Sequence, residues 1–224
     1  MNEQTAIFYA LIAAALLCVT IPGVGIAFKT VNTLVHEMGH AVVGLLFQGT
    51  VYRMELRTDA SGSATIKSKN KLSVLLSGIA GYAGSAILSY FFFRWYAQGN
   101  LRLIFWILGI AGVTALLLWV RNLYGVLWLL VFVAIQGAAL FLIPGPWDKY
   151  LCLFLIGLIW VENLRCVLYL TGLSFSQSKK AGDASLLHKM IGLPTFLWAL
   201  LFLAFSLYMA GLTISGYFPD INIF

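Results

Sequence analysis

The segment VNTLVHEMGHAVVGLLFQGTV, residues 31–51, decides how the whole chain is interpreted. It is apolar along most of its length, yet it contains two histidines and a glutamate within VHEMGH, residues 35–40. Ionisable side chains are expensive to place in a membrane, and where they occur there they are functional by default. The interpretation therefore depends on whether this segment lies in a membrane and on what its polar groups could bind.

The composition is that of a membrane protein with several spans. Of the 224 residues, 61% are hydrophobic and only 10% are charged, and the mean hydropathy is +0.93. So little polar surface cannot cover a water-soluble fold of this length. No polar stretch is long enough to fold separately, so we expect one membrane domain over residues 1–224. The net charge of +6 then belongs to the connections between spans, and no nucleic acid partner is expected.

Apolar runs of spanning length predict an all-α polytopic fold with about six to seven transmembrane helices. The string RNLYG, residues 121–125, is interpreted as a tight turn, because one helix from 101 to 143 would far exceed the bilayer thickness. The three cysteines stand singly in apolar runs, and we interpret them as buried side chains rather than disulfides. The predicted spans are residues 5–27, 29–48, 72–96, 101–120, 123–143, 150–172 and 193–217.

The basic residues predict the orientation of these spans. If the N-terminus is cytoplasmic and seven spans alternate, most of the 14 lysines and arginines fall at the inner face, as the positive-inside rule requires. The connections at residues 50–70 and 174–192 are then both cytoplasmic. The basic residues that fall outside are Lys29, Arg94, Arg102 and Lys149.

The first of these connections predicts a short membrane-associated β-hairpin near residues 51–68. Polar and apolar residues alternate in VYRMELR, residues 51–57, and again in SATIKS, residues 63–68, with DASG between them as a turn. The alternation places Tyr52, Met54 and Leu56 on one side of the first strand.

The second connection, residues 174–192, predicts a different structure. A polar stretch leads into a short amphipathic helix that Gly192 and Pro194 should stop.

His36 and His40 are four residues apart, so on a helix they stand on the same face and can bind one Zn²⁺. Glu37 lies about 100° further round that helix, close enough to act on a water molecule as a general base without being a ligand. Gly39 leaves room for another helix or a peptide to approach. The alternative is that each histidine is simply a satisfied buried polar group.

A catalytic zinc usually takes a third protein ligand, and the sequence leaves that ligand open. Glu162 lies in a span, but Arg165 three residues later makes an intrahelical ion pair the simpler explanation. Asp183 and His188 remain. In GDASLL, spacing alone favours Asp183 as an N-cap, and His188 could equally lie at the headgroup level without a chemical role. The carboxylates set aside as terminal, external or part of the hairpin are Glu3, Glu55, Asp59, Asp148 and Asp220.

Taken together, these segments resemble the membrane-embedded zinc metallopeptidases of the site-2 protease type. The closest resemblance is to the compact bacterial branch that lacks PDZ and CBS domains. The resemblance implies that Asp183 is the third zinc ligand, contrary to the local preference for a cap. One departure is that Asp183 is followed by Ala184, whereas better-studied relatives have an Asp-Gly motif. The segments that carry the resemblance are residues 31–51, the hairpin with its SG turn, SGIAGYAGSA at 77–86, VRNLYG at 120–125 and GDASLLHKMIGLPTFLW at 182–198.

The resemblance also implies an activity, which is hydrolysis of peptide bonds in or near transmembrane segments of membrane proteins. The cofactor would be Zn²⁺, the partners a transmembrane substrate and the lipid bilayer, and the location a bacterial cytoplasmic membrane. An edge strand at 51–57 or 63–68 could pair with an unwound substrate, with Met54 and Leu56 as candidate contacts. Asn122 could hydrogen-bond the substrate backbone, or it could cap the following helix while Arg121 snorkels to the interface.

The sequence is also compatible with two other functions. The first is an inactive relative that binds or chaperones transmembrane partners, but such a protein has no need of Glu37 beside the metal. The second is a small transporter or channel whose histidines relay protons.

Overall fold

The computed structural model describes residues 3–219, which form a helical assembly with one β-hairpin, as the sequence predicts. The fourth helix continues as a π-helical turn over Ala115–Trp119, and a 3-10 turn at Ser178–Lys180 precedes the seventh. The elements in chain order are α1 (Glu3–Thr20), α2 (Gly25–Leu46), β1 (Thr50–Leu56), β2 (Gly62–Lys67), α3 (Lys71–Ala97), α4 (Leu101–Thr114), α5 (Leu123–Phe141), α6 (Trp147–Ser176), α7 (Gly182–Ile191) and α8 (Thr195–Tyr217).

Six helices within residues 3–219 are long and apolar enough to cross a membrane, namely α1, α3, α4 with its π-helical turn, α5, α6 and α8. The remaining predicted span, residues 29–48, lies in α2, a helix of 22 residues that carries Lys29 and the VHEMGH string and is not one of these six. The boundary of the first predicted span, 5–27, is wrong. Helix α1 ends at Thr20 because Pro22 and a left-handed Gly23 (φ 76°) interrupt the helix before α2 begins.

Helices α2 and α3 lie in unusually close contact. A Cβ atom added to Gly39 would lie 2.5 Å from the carbonyl oxygen of Ala80, so only glycine fits at this crossing. The room that the sequence assigns to Gly39 is thus used by a neighbouring helix. Behind this pair, α6 packs against α1, α2, α3 and α8. Its buried apolar residues up to Val161 join the main apolar core, whereas Val167 and Leu170 join a second cluster.

The predicted turn between α4 and α5 is confirmed, and Arg121 closes the helix that precedes it. The Arg121 guanidinium donates four hydrogen bonds to carbonyl oxygens left without helical partners at the end of the π-helical turn. Arg121 is therefore a C-terminal cap, which is a more specific role than the predicted snorkelling. The acceptors are the carbonyls of Leu116 at 3.1 Å, Leu117 at 2.9 Å, Leu118 at 3.1 Å and Val120 at 2.8 Å.

The hairpin is antiparallel, but its first strand contains a β-bulge that the alternation does not reveal. The register shifts between Val51 and Arg53, so that Tyr52 is an extra residue without a cross-strand partner. As a result Tyr52 is exposed, whereas Val51, Met54 and Leu56 are buried. The prediction that Tyr52 shares a side with Met54 and Leu56 is therefore wrong for Tyr52.

The other edge of β1 is also occupied. Met54 forms a parallel bridge with Val120, and the Asn122 side-chain amide donates a hydrogen bond to the carbonyl oxygen of Leu56. No side-chain bond from Asn122 caps α5. Strand β1 is thus held from both sides, and of the two strands in the described chain only β2 (Gly62–Lys67) keeps an unpaired edge.

Replacing Asn122 by alanine should loosen the hairpin. The buried Leu56 carbonyl would lose its partner, so we expect the free energy of unfolding to fall by about 1–3 kcal/mol and trypsin to cleave faster after Arg57. Thermal unfolding in detergent and timed proteolysis measure the two effects. The matched control is Asn100→Ala, since the side chain of exposed Asn100 has only one hydrogen bond among the described residues, to Gln98 at 3.4 Å. Equal behaviour of the two variants would contradict this role for Asn122.

Candidate metal centre

Three side chains from two helices converge on one point. His36 and His40 come from one face of α2, and Asp183 comes from the first turn of α7. The two Nε2 atoms are 3.0 Å apart, and Asp183 Oδ2 lies 3.2 Å from His36 Nε2 and 3.3 Å from His40 Nε2. This is the one group of three or more metal-ligating side chains so placed within residues 3–219.

These separations fit a tetrahedral zinc ion. With Zn–N and Zn–O bonds of roughly 2.0–2.1 Å and tetrahedral angles, two ligand atoms are expected about 3.3 Å apart. Two imidazole nitrogens and one carboxylate oxygen are also a common donor set of catalytic zinc, which leaves its fourth position open. The residues therefore fit the metal in both chemistry and spacing.

The surroundings of His40 hold its ring in the orientation that a metal requires. His40 Nδ1–H donates to the backbone carbonyl of Ser77 at 2.6 Å, which leaves the lone pair on Nε2 directed at the cluster. Ser77 Oγ in turn donates to the His40 carbonyl at 3.0 Å. The other imidazole is held by packing, because the Tyr82 ring meets the His36 ring edge-on with centroids 4.5 Å apart.

Asp183 faces the histidines and not the end of its own helix. It is the second residue of α7, and no side-chain hydrogen bond caps that helix. The local preference for an N-cap is therefore wrong. Burial by itself would raise the pKa of the Asp183 carboxyl, but the adjacent imidazoles of His40 and His36 outweigh it and hold that pKa well below its usual value. Asp183 is thus held as an anion, the form that binds metal.

The structure keeps the other candidate ligands away from the cluster. His188 is exposed at the end of α7, where its Nδ1–H donates to the Leu193 carbonyl at 3.0 Å. Gly192, in the left-handed conformation, ends α7 as predicted. The predicted pair of Glu162 and Arg165 is confirmed, with Arg165 Nη1 at 3.0 Å from Glu162 Oε2.

Of the carboxylates set aside in the sequence, those of the hairpin have local partners. Glu55 pairs with Arg53 and Arg57, and Asp59 accepts hydrogen bonds from Ser61 in the turn. Asp220 lies outside the described residues.

Glu37 lies beside the cluster in a cavity of about 470 Å³. It is 4% exposed, and a Cβ on Gly62 would lie 2.5 Å from its Oε1, so the start of β2 lies directly against the carboxylate. Thr33 Oγ1 fastens the hairpin turn to α2 by donating to the Ala60 carbonyl at 2.8 Å. The cavity is therefore walled by α2, α3, α7 and the β2 side of the hairpin, with Cys166 contributed by α6.

The three predicted substrate contacts do not line this cavity. Met54 and Leu56 are fully buried on the inner side of β1, and Asn122 is engaged with the Leu56 carbonyl. Their side chains support the hairpin and offer no surface to the cavity. The cavity is also lined by Asn32, Ser77 and Tyr82, which the sequence does not single out as site residues. Two sequence features could have indicated Asn32 and Tyr82: Asn32 lies one helical turn before His36, and Tyr82 belongs to the AGY string at residues 80–82.

The helices and the cluster define a class of protein: a helical multi-pass membrane protein with a His-His-carboxylate centre suited to zinc. The chain matches the family described as Peptidase M50B-like over residues 9–213, and it belongs to that family. The resemblance to site-2 protease-like peptidases is thereby confirmed, and so is the assignment as an integral membrane protein. No curated protein and no solved structure matches the chain at a significant level.

The approach of α3 to the metal centre should make Gly81 essential for metal binding. A Cβ at Gly81 would lie 2.5 Å from His36 Cε1 and from His40 Nε2, so Gly81→Ala must push the imidazoles apart. We expect zinc affinity to fall roughly tenfold to a hundredfold, as when a group supporting a ligand is lost. Zinc titration of the purified protein, followed by mass spectrometry of retained metal, measures this.

Gly84→Ala, on the same helix as Gly81, is the matched control, since its Cβ would meet only Gly39 Cα of α2, at 3.8 Å. Alanine is the better helix former at both positions, so a loss confined to Gly81→Ala is steric. Full zinc binding by Gly81→Ala would contradict the geometry of the centre.

Proposed function

We propose that this chain is an intramembrane zinc metallopeptidase that hydrolyses peptide bonds in or near transmembrane segments of membrane proteins. The observation that carries the proposal is the convergence of His36, His40 and Asp183 beside Glu37, in a cavity among apolar helices. Membership of the Peptidase M50B-like family supports it. A protein that only binds transmembrane partners would have no use for a buried carboxylate beside a metal centre.

His36, His40 and Asp183 would hold the zinc, which would polarise the scissile carbonyl and acidify a water molecule. Glu37 would accept the proton from the attacking water and return it to the leaving amine. Gly62 lies directly against the Glu37 carboxylate, and Glu37 is almost fully buried. The tautomer of His40 set by Ser77 keeps a lone pair available for the metal throughout.

A transmembrane substrate must unwind before water can reach a peptide bond, and its backbone then needs new hydrogen-bond partners. The sequence offers two strands for this purpose, and the pairing of β1 on both sides leaves β2. Residues 60–64, with Ile66, line the cavity. We therefore assign the pairing with an extended substrate to the free edge of β2.

The cavity side of the molecule is also its most basic side. Exposed lysines lie on the two connections that border the cavity, which supports a cytoplasmic location for this face and for the N-terminus in a bacterial membrane. These lysines are Lys67, Lys69, Lys71, Lys179, Lys180 and Lys189.

Asp183→Ala should abolish stoichiometric zinc binding, because two imidazoles alone leave the site short of a ligand and of its negative charge. Asp148→Ala is the matched control, since Asp148 is likewise the second residue of its helix but bonds only to the Lys149 backbone N–H. Metal content per chain by mass spectrometry, after purification without chelator, measures the difference. Equal zinc in both variants would exclude Asp183 as a ligand.

Glu37→Gln should keep the zinc and lose the cleavage, because glutamine fills the same space without accepting a proton. We expect the rate to fall by a factor of about 10²–10⁴. The probe is a synthetic peptide of about 20 apolar residues with a helix-weakening Gly-Pro pair at its centre, in detergent micelles. Products are identified by mass spectrometry. Absence of cleavage by zinc-loaded wild type, with the peptide still bound, would favour the non-enzymatic alternative.

A further inference from the structure

Asn32 is the polar residue of the cavity that the mechanism above does not use. It lies on α2 one turn before His36 and lines the same cavity as His36 and Glu37. Only 3% of the residue is exposed, and its side-chain oxygen has no hydrogen-bond partner among residues 3–219. A buried amide without partners is costly, so a leucine would be the more stabilising residue if Asn32 had only to fill space.

The other asparagines of the described chain whose side-chain oxygen is buried and unpaired do not share this combination. Asn163 and Asn122 also leave an oxygen unpaired, but their amide nitrogens donate to Ser206 Oγ and to the Leu56 carbonyl. Neither lines the cavity. Of these three asparagines, Asn32 is therefore the one that lines the cavity where a ligand would bind, and its side-chain oxygen has no partner among the described residues.

The geometry of an added strand specifies what that ligand would present. The backbone N–H and C=O groups of an extended peptide point alternately to its two sides. Groups directed at β2 would be paired by that strand, whereas groups directed the other way would face the α2 wall of the cavity without partners. One side-chain amide carries both an acceptor and N–H donors, which is what one peptide unit requires.

We propose that Asn32 binds the substrate backbone on the side opposite β2, accepting a hydrogen bond from one peptide N–H and donating one to a carbonyl of the same strand. This inference rests on the proposed function and names its substrate form, an unwound peptide held between β2 and α2. Backbone groups are common to all residues, so this contact would select for an extended conformation. It would contribute little specificity for the side chains near the cleavage site.

The test measures binding separately from cleavage. Full-length, zinc-loaded protein carrying Glu37→Gln is titrated with the apolar Gly-Pro peptide, fluorescently labelled, in detergent micelles. Adding Asn32→Leu should weaken binding roughly tenfold, the loss expected for a buried hydrogen-bonded amide. Zinc content should stay the same, and thermal stability should stay the same or rise, because an unpaired polar group is removed. A merely structural asparagine would instead lower stability and leave the affinity unchanged, which would overturn the proposal.

Asn163→Leu is the matched control, since it removes a buried amide that lies away from the cavity. The affinity of this variant for the peptide should stay within about twofold of that of the Glu37→Gln protein, because substitutions at distant sites act independently. An equal loss of affinity in the two variants would mean that a general change in packing is responsible, and would overturn the specific role of Asn32.

A second probe identifies the hydrogen bond itself. A set of peptides, each with one backbone amide replaced by an ester, lacks one N–H at a time. One ester near the Gly-Pro pair should weaken binding to the Glu37→Gln protein. The same ester should not weaken binding to the protein that also carries Asn32→Leu, because the Asn32 side-chain oxygen that accepts the hydrogen bond is absent there. If no position behaves in this way, the proposal is overturned. Peptide binding that depends on Asn32, without cleavage by wild type, would refute the peptidase activity and leave the Asn32 contact established.

Discussion

The close crossing of α2 and α3 is the constraint on which the rest of the site depends. Gly39 and Gly81 let the two backbones approach until the carbonyl of Ser77 reaches His40 Nδ1 at 2.6 Å. That single bond selects the tautomer of His40 and leaves its other nitrogen for the metal. A wider crossing would leave both imidazoles free to turn. The orientation of the metal-binding side chains therefore depends on the close packing of the two helix backbones.

The hairpin serves the site in two ways at once. Its first strand is immobilised by Val120 and Asn122, and this fixes the start of β2 against Glu37. Its second strand keeps an open edge beside the cavity. Immobilising one strand and leaving the other free gives a rigid pairing edge, which is what ordering an unwound substrate requires, because a mobile edge would itself have to be ordered on binding.

Several polar groups around the cavity oppose stability. Glu37 and Asn32 are almost fully buried, and the Asn32 oxygen has no partner among the described residues. Each costs free energy that an apolar residue would not. Arg121 and the pair of Glu162 with Arg165 show the opposite arrangement, in which buried or terminal polar groups are fully engaged. Among the unpaired buried atoms of the described chain, the Asn32 oxygen is the one on a residue that lines the cavity, whereas others, such as those of Gln136 and Asn163, lie elsewhere in the helices.

The sequence by itself determined the helical membrane fold, the hairpin and the alignment of His36 with His40, because helical and strand periodicities are local properties. It left Asp183 undecided, since capping an adjacent helix and meeting a distant histidine look alike along the chain. Only the tertiary structure decided that Asp183 faces the histidines, that a bulge turns Tyr52 outward, and that Asn32 lines a cavity with its side-chain oxygen unpaired. Each of these depends on which elements pack together, and packing between elements distant in sequence leaves no periodic signal in either of them.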